Sequence, residues 1–324
     1  LSDIIKDIKG SIGAELEAFE RTFSQSVKTK VSLLDTILSY IVKRKGKQVR
    51  PMMVLLTASA CGKVSDRSYR GASLVELLHT ATLVHDDVVD DSFKRRGFFS
   101  INALWKNKIA VLVGDFLLSR GLLLSIEHKD FDMLEIVSDA VKRMSEGELL
   151  QLEKARKLDI KESDYYDIIG KKTASLFAAC CAIGAASVGS TEEVIQALRA
   201  FGENAGMAFQ IKDDLFDFGT GDTGKPKGTD IKERKMTLPL IYALAHAETA
   251  EKRRIIAYIK TDKPDQRKVD TVVDFIVQSG GPQYAREKME FYRQEALQAL
   301  QILPDSIHKQ HLERLLDYII TRKK

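Results

Sequence analysis

The sequence is poor in helix breakers and in cross-linking residues. Six prolines are spread over 324 residues, so long uninterrupted helices are open to most of the chain. Cysteine occurs three times, as Cys61 and the adjacent pair Cys180 and Cys181. That spacing builds neither a disulfide framework nor a zinc site and points to a reducing, cytoplasmic home. The net charge of +4 is too small to argue for a nucleic-acid partner. The longest uncharged run, residues 173–191, is largely Ala, Ser, Gly and Cys. Small residues of this kind suit close helix packing in a core better than they suit lipid, so any membrane contact is expected to be peripheral.

What the sequence does have is apolar periodicity. Hydrophobic residues make up 44% of the chain and charged residues 30%, enough to build a core and to solvate a surface. Leu74, Leu77, Leu78, Ala81 and Val84 recur at helical spacing, as do Leu134, Val137, Val141 and Met144, and the pattern continues through Val272, Ile276, Met289, Leu300, Leu312 and Ile319. No alternating strand with a hairpin signal stands out. One stretch reads as a loop, "GTGDTGKPKGTD" at 219–230. With no linker and no fixed-period repeat, the expectation is all-α: a single large helical domain over residues 1–324, with roughly a dozen helices of ordinary length.

Two acidic clusters break the apolar pattern. Asp86, Asp87 and Asp90 end one hydrophobic helical run, and Asp213, Asp214 and Asp217 end another with the same spacing. On a helix, carboxylates four apart share a face and repel by a few tenths of a kcal/mol per pair. One such triplet reads as a charged helix end; two copies, each leaving a hydrophobic helix, read as a site for hard divalent ions. Magnesium fits, because it keeps waters and borrows oxygens from a phosphorylated substrate. Paired carboxylates could instead serve as general acid and base, as in glycosidases, but two triplets exceed that need and no aromatic sugar platform accompanies them. Neither stretch reads as a twelve-residue calcium loop.

Basic elements near turns follow: "GKQVRP" (46–51), "FKRRG" (93–97), "GKKTAS" (170–175), "GKPKGTD" (224–230) and "KERKMTLP" (232–239). Each alone is more often a solvated surface. Beside six carboxylates they suggest two diphosphates, one held through metal and one by Arg and Lys directly. His79 has two readings, a ligand contact and a hydrogen-bonded core histidine.

"LLHTATLVHDDVVDDSFKRRG", "GKKTASLF", "FQIKDDLFDF" and "GKPKGTDIKERKMTLPL" resemble the trans-isoprenyl diphosphate synthases, specifically the long-chain, octaprenyl-type polyprenyl branch. The resemblance runs from about Lys45 to "ALQALQILPDS". It implies helices around a deep central cavity, a homodimer, and Mg2+, three ions per site. By position, Asp86, Asp87, Asp90, Asp213, Asp214 and Asp217 would hold the metal on the allylic diphosphate. Arg95, Lys172, Thr173, Gln210, Lys225 and Lys235 would contact that diphosphate; Lys47, Arg50, His79 and Arg96 would bind isopentenyl diphosphate. Two positions depart from the family pattern: Gln48 replaces a common Arg, and Arg234 a common Gly. The basic tail, Arg322, Lys323 and Lys324, corresponds to the family's closing segment.

The implied reaction is ionisation of an allylic diphosphate, with farnesyl diphosphate the expected primer, followed by attack of isopentenyl diphosphate. A terpene cyclase would carry an Asn/Ser/Glu-type second metal motif and need no second diphosphate site, and a non-catalytic partner subunit would have eroded aspartates. For product length, Thr82 lies four residues before Asp86, about 6 Å nearer the cavity floor at helical rise. Ala81 is beside it and Val137 is expected across from it. Short-chain relatives place an aromatic ring at one of these positions. The expectation is therefore an all-trans product of about six to ten isoprene units, for a quinone side chain, with ordinary core packing of Ala81 and Thr82 as the competing reading.

Overall fold

The computed structural model describes residues 2–43, 46–95, 97–157, 160–218, 228–261 and 264–322. Nearly all of the secondary structure is helical. Helices α1 (Ser2–Ser11), α2 (Gly13–Ser26), α3 (Ser32–Lys43) and α4 (Val49–Cys61) lead into the long α5 (Asp66–Val89). A two-stranded hairpin, β1 (Lys94–Arg95) and β2 (Phe98–Phe99), then turns the chain into α6 (Ile101–Glu127) and α7 (Phe131–Lys157). Next come α8 (Glu162–Ile169), a π-helical turn (Gly170–Ala174), α9 (Ser175–Ser187) and α10 (Glu192–Leu215). The remainder is α11 (Thr229–Lys232), α12 (Leu238–His246), α13 (Thr249–Lys260), α14 (Gln266–Gln278), α15 (Gly281–Ala299) and α16 (Ile307–Thr321). The number exceeds the expected dozen because several helices are only one to three turns long.

The hairpin is a departure from the sequence reading. Lys94 pairs with Phe99 and Arg95 with Phe98 in antiparallel register. Gly97, at φ +81°, makes the turn, a conformation that costs glycine nothing and L-residues a clash with Cβ. Alternation over two residues is too short to register as a pattern.

Helix α9 is the axis of the packing. All thirteen of its residues are buried, and it lies against α4, α5, α7 and α10. Its small side chains explain why: a Cβ on Gly184 would sit 2.5 Å from the Val54 carbonyl oxygen of α4, so the two backbones approach as closely as glycine permits. The main core gathers α1–α7, α9, the first half of α10, and α16. A second apolar cluster joins Met207, Ile211 and Leu215 of α10 to α12–α15, so α10 belongs to both. Caps set the helix starts: Thr191 accepts from Val194 N, Asp265 from Lys268 N and Ser306 from Lys309 N. Each such cap contributes about 1 kcal/mol.

Two helical stretches are long and apolar enough to cross a membrane, Ile101–Glu127 and Glu162–Ser187. The second is the core axis, 83% buried over its most apolar window; the first is only 39% buried there. α6 carries Leu104, Val111, Leu112, Leu122, Leu123 and Ile126 on its exposed side.

Candidate active site

The two aspartate triplets sit at the C-terminal ends of α5 and α10, both of which pack on α9. The end of α5 is fastened from outside: Asn102 Nδ2 donates to the Asp87 carbonyl (3.0 Å), Ser92 N donates to the same carbonyl (2.9 Å), and Ser100 Oγ donates to the Ser92 carbonyl. These bonds fix where the acidic turn points. Within it, Asp87 is buried at 4% exposure, Asp86 is half-buried and Asp90 exposed.

The second triplet is buried further, at two of its three positions. Asp214 is 1% exposed and accepts from Tyr165 Oη (2.9 Å), Gln210 Nε2 (3.2 Å) and Lys235 Nζ (3.0 Å). Asp217, also buried, accepts from the Asp230 backbone N at 2.6 Å. Asp213 alone of the three is accessible, and it accepts from the Arg322 guanidinium. Burial pushes the Asp213 carboxyl up, against the pull of Arg322 and Lys235. The triplets are thus not two equal sets of three outward ligands, because helical spacing turns the second aspartate of each toward the core. Among the described residues no three acidic, His or Cys side chains converge closely enough to hold an ion unaided. Asp86, Asp90 and Asp213, which are not sealed in the core, nonetheless supply hard, anionic oxygens, a donor set that suits a divalent ion completing its shell with phosphate oxygens and water.

A polar network links several residues expected around the allylic diphosphate. Thr173 Oγ1 donates to Gln210 Oε1 (2.9 Å), Gln210 donates to Asp214, and Lys235 donates to Asp214 and lies 3.8 Å from Asp230. Burial works against the Lys235 charge, but Asp214 and Asp230 overcome it and raise the ammonium well above its ordinary value. Lys172 stands apart from this network. Its Nζ is held by Glu148 (2.6 Å to Oε2) and Gln151 (3.0 Å), both from α7. Glu148 and Gln151 were missed in the sequence; their only signal is an i, i+3 polar pair beside an apolar stripe. The π-helical turn carries Lys171 to Ala174 and re-aims Lys172 and Thr173, an irregularity that recurs at functional sites.

A cavity of about 840 Å³ opens beside the first triplet. Lys47, Arg50, His79 and Asp87 line it, with Phe177, Phe209, Tyr318 and Arg322 on the α9–α10–α16 side. The four residues expected around isopentenyl diphosphate are thereby reduced to three placed together, Lys47, Arg50 and His79. Arg96, Lys225, Lys323 and Lys324 lie outside the described residues, as does the side chain of Arg95. Gln48, at φ +58°, also lines the cavity, where it donates to Glu20 Oε1 (3.0 Å) and accepts from Lys9 Nζ (3.3 Å). Arg234 is exposed and donates to the Lys260 carbonyl. The face of α5 on the cavity is Glu76, His79, Thr80, Leu83, Val84 and Asp87. Ala81 and Val137 belong to the main core instead, and Thr82 donates to the His79 carbonyl at 2.9 Å.

A helical fold whose cavity carries Lys47, Arg50, His79 and Asp87 on its wall suits an enzyme of diphosphate chemistry. The comparisons narrow the class: the profile of the family described as Polyprenyl synthetase matches residues 31–276. The chain belongs to this family of prenyl-transferring enzymes. It is 37% identical over 323 residues to the all-trans-nonaprenyl-diphosphate synthase (geranyl-diphosphate specific) of Rhodobacter capsulatus, covering 99% of this chain and 98% of that one. It is similar to the crystal structure of polyprenyl synthase from Caulobacter crescentus complexed with calcium and isoprenyl diphosphate, with TM-score 0.89, 33% identity, and 99% and 98% of the two chains covered. It is also similar to the geranylgeranyl pyrophosphate synthase of Bacteroides thetaiotaomicron, with TM-score 0.83, 38% identity, and 99% and 100% covered.

Proposed function

We propose that the chain condenses isopentenyl diphosphate with an allylic diphosphate and repeats the step to a long all-trans polyprenyl diphosphate. The observation that carries this reading is the meeting, at one cavity, of the cations Lys47 and Arg50 and of His79 with Asp87 of the first triplet and with Arg322, which is bonded to Asp213 of the second. A cyclase has no use for the first of these groups.

Lys47 and Arg50 bind the isopentenyl head group, since charge-assisted bonds to phosphate are about twice as strong as neutral ones. Lys172, Thr173, Gln210 and Lys235 bind and orient the allylic diphosphate, Glu148 and Gln151 holding Lys172 in its aim. Asp86, Asp90 and Asp213 are the residues that would hold divalent ions, Mg2+ in our reading and three per site. When bound, these ions supply positive charge against the departing diphosphate, worth several kcal/mol of transition-state stabilisation. Phe177 and Phe209, with ring centroids 5.2 Å apart, keep water from the allylic carbon as it becomes cationic.

Several finer features complete the reading. A second copy of the chain covers the apolar side of α6, giving a homodimer; contact with membrane is peripheral and serves product release, and the setting is cytoplasmic. The long-chain relative and the geranylgeranyl relative are about equally similar to this chain, so product length rests on the small residues Ala81 and Thr82 and on the placement of Val137. Purified protein incubated with isopentenyl diphosphate and geranyl or farnesyl diphosphate, with Mg2+ or with EDTA, tests the function directly. Metal-dependent elongation past twenty carbons supports it; cyclic hydrocarbons, or no turnover with any primer, would sink it.

A further inference from the structure

Tyr165 of α8 lies outside both aspartate triplets and all the basic motifs, yet its hydroxyl donates to Asp214 Oδ2 at 2.9 Å. Gln210 and Lys235 donate to the other oxygen, Oδ1, at 3.2 and 3.0 Å. The carboxylate is therefore gripped at both of its oxygens. Tyr165 is 4% exposed, its ring set in the second apolar cluster with Ile169, Met207 and Ile211. Burial and the adjoining Asp214 charge push the phenol well above its ordinary value, so it remains protonated, and a donor, at working pH. The helix that carries it is itself anchored. Glu162 accepts from Tyr166 Oη at 2.9 Å and from Tyr284 Oη of α15 at 2.5 Å, and Asp164 meets Lys154 of α7 at 2.9 Å. From there α8 runs directly into the π-helical turn that carries Lys172 and Thr173. Tyr165 thus joins the segment bearing those two residues to the carboxylate that holds Lys235 and Gln210.

We propose that Tyr165 is a positioning residue for the allylic diphosphate. Its hydroxyl fixes the rotation of the Asp214 carboxylate and, through it, the aim of Lys235 and Gln210. The inference rests on the proposed function for what Lys235 and Gln210 bind. Without the hydroxyl, Oδ2 loses its donor in a buried setting, where an unmet acceptor is costly, and the carboxylate turns to recover one. Lys235 then has a second carboxylate to follow, that of Asp230 at 3.8 Å. Gln210, whose Oε1 accepts from Thr173 Oγ1 at 2.9 Å, loses its alignment in the same movement. The cost falls on the allylic substrate. Isopentenyl diphosphate, assigned to Arg50 of α4 and to Lys47 just before it, is spared.

Tyr165→Phe removes the oxygen and keeps the ring. The expected result is an allylic KM about tenfold higher, the size that follows from losing a hydrogen bond to a charged group, with the KM for isopentenyl diphosphate unchanged. Tyr166→Phe is the comparison, because that phenol bonds Glu162 and not Asp214. It should lower the melting temperature and leave both KM values alone. Calorimetry with Mg2+ and the unreactive thiolodiphosphate analogue of farnesyl diphosphate reads the same tenfold loss as a Kd, independently of turnover. In an Asp214→Asn background, Tyr165→Phe should add nothing further to that Kd, since the two act as one unit. Circular dichroism confirms that each variant folds. Unchanged allylic binding in Tyr165→Phe, equal losses for both substrates, an equal effect from Tyr166→Phe, or a full tenfold effect in the Asp214→Asn background would overturn the inference. Normal wild-type turnover with a silent Tyr165→Phe removes this inference alone, whereas absence of wild-type turnover removes the proposed function.

Discussion

The Arg322 guanidinium donates to the Asp213 carboxylate and lies over the Phe209 ring, 4.1 Å from its centroid. The chain's C-terminal end is thereby fastened to the one accessible aspartate of the second triplet, with a side-chain cation where a bound ion's charge would otherwise act. Arg322→Gln removes that competitor. The Mg2+ concentration for half-maximal turnover should fall, while the metal-free protein melts about 2 °C lower, as expected for loss of a partly exposed pair worth about 1 kcal/mol. A metal titration and a melting curve on the same variant check both signs; an unchanged or higher Mg2+ requirement would contradict the competition.

The division within the triplets predicts unequal mutants. Asp86→Ala and Asp213→Ala should both cut turnover by orders of magnitude; the melting temperature should be nearly unchanged for Asp86→Ala, whereas Asp213→Ala should show the same small loss as Arg322→Gln, because it breaks the same pair. Asp214→Ala should cost stability as well as turnover, since it leaves the buried Tyr165 hydroxyl without its acceptor and removes one of the two carboxylates facing Lys235; losing a hydrogen bond to a charged group costs about 1.5–3 kcal/mol. Near-wild-type turnover in the first two variants refutes the two-triplet site.

The two diphosphate sites should separate kinetically. Arg50→Ala raises KM for isopentenyl diphosphate, and Lys172→Ala impairs the allylic substrate, each by about tenfold to a hundredfold for a lost charge-assisted contact of about 1.5–3 kcal/mol. Glu148→Gln should resemble a mild Lys172 variant, because it loosens the hold on that ammonium. Steady-state kinetics with each substrate varied in turn would expose a wrong assignment as equal effects on both.

Product length turns on Ala81. Its side chain is 2% exposed in the main core, so Ala81→Phe must find room. If the growing chain passes here, the variant makes shorter products, which is the expected outcome. If it does not, products stay as they were and overpacking lowers stability by about 1–3 kcal/mol. Chromatography of dephosphorylated products alongside a melting curve separates the two.

The cysteines give the alkaline behaviour. Burial pushes the Cys180 thiol up to about 12 and raises Cys181 well above its ordinary value. The unfolded chain ionises these thiols near pH 9, below where the folded protein does, so above that pH the folded state binds more protons and stability falls as pH rises. At neutral pH both thiols should resist alkylation in the native protein and react once it is denatured, as mass spectrometry of labelled peptides would show.

Much of this protein was determined by its sequence alone. Helical periodicity is a local record of which face each segment buries, so α5, α7, α10 and α16 were readable from Leu, Val and Ile spacing. The paired aspartate triplets and the order of the basic motifs likewise carried the family. The tertiary structure decided what depends on distant partners. Asp87 and Asp214 turn inward because α5 and α10 pack on α9, and Lys172 faces Glu148 and Gln151 because α7 crosses the π-helical turn. The open cavity follows the Glu76, His79, Leu83 and Val84 face of α5, not the Ala81 face, which is closed in the main core. Spacing along one helix reports which side chains share a face, whereas what that face meets depends on how helices remote in sequence cross it.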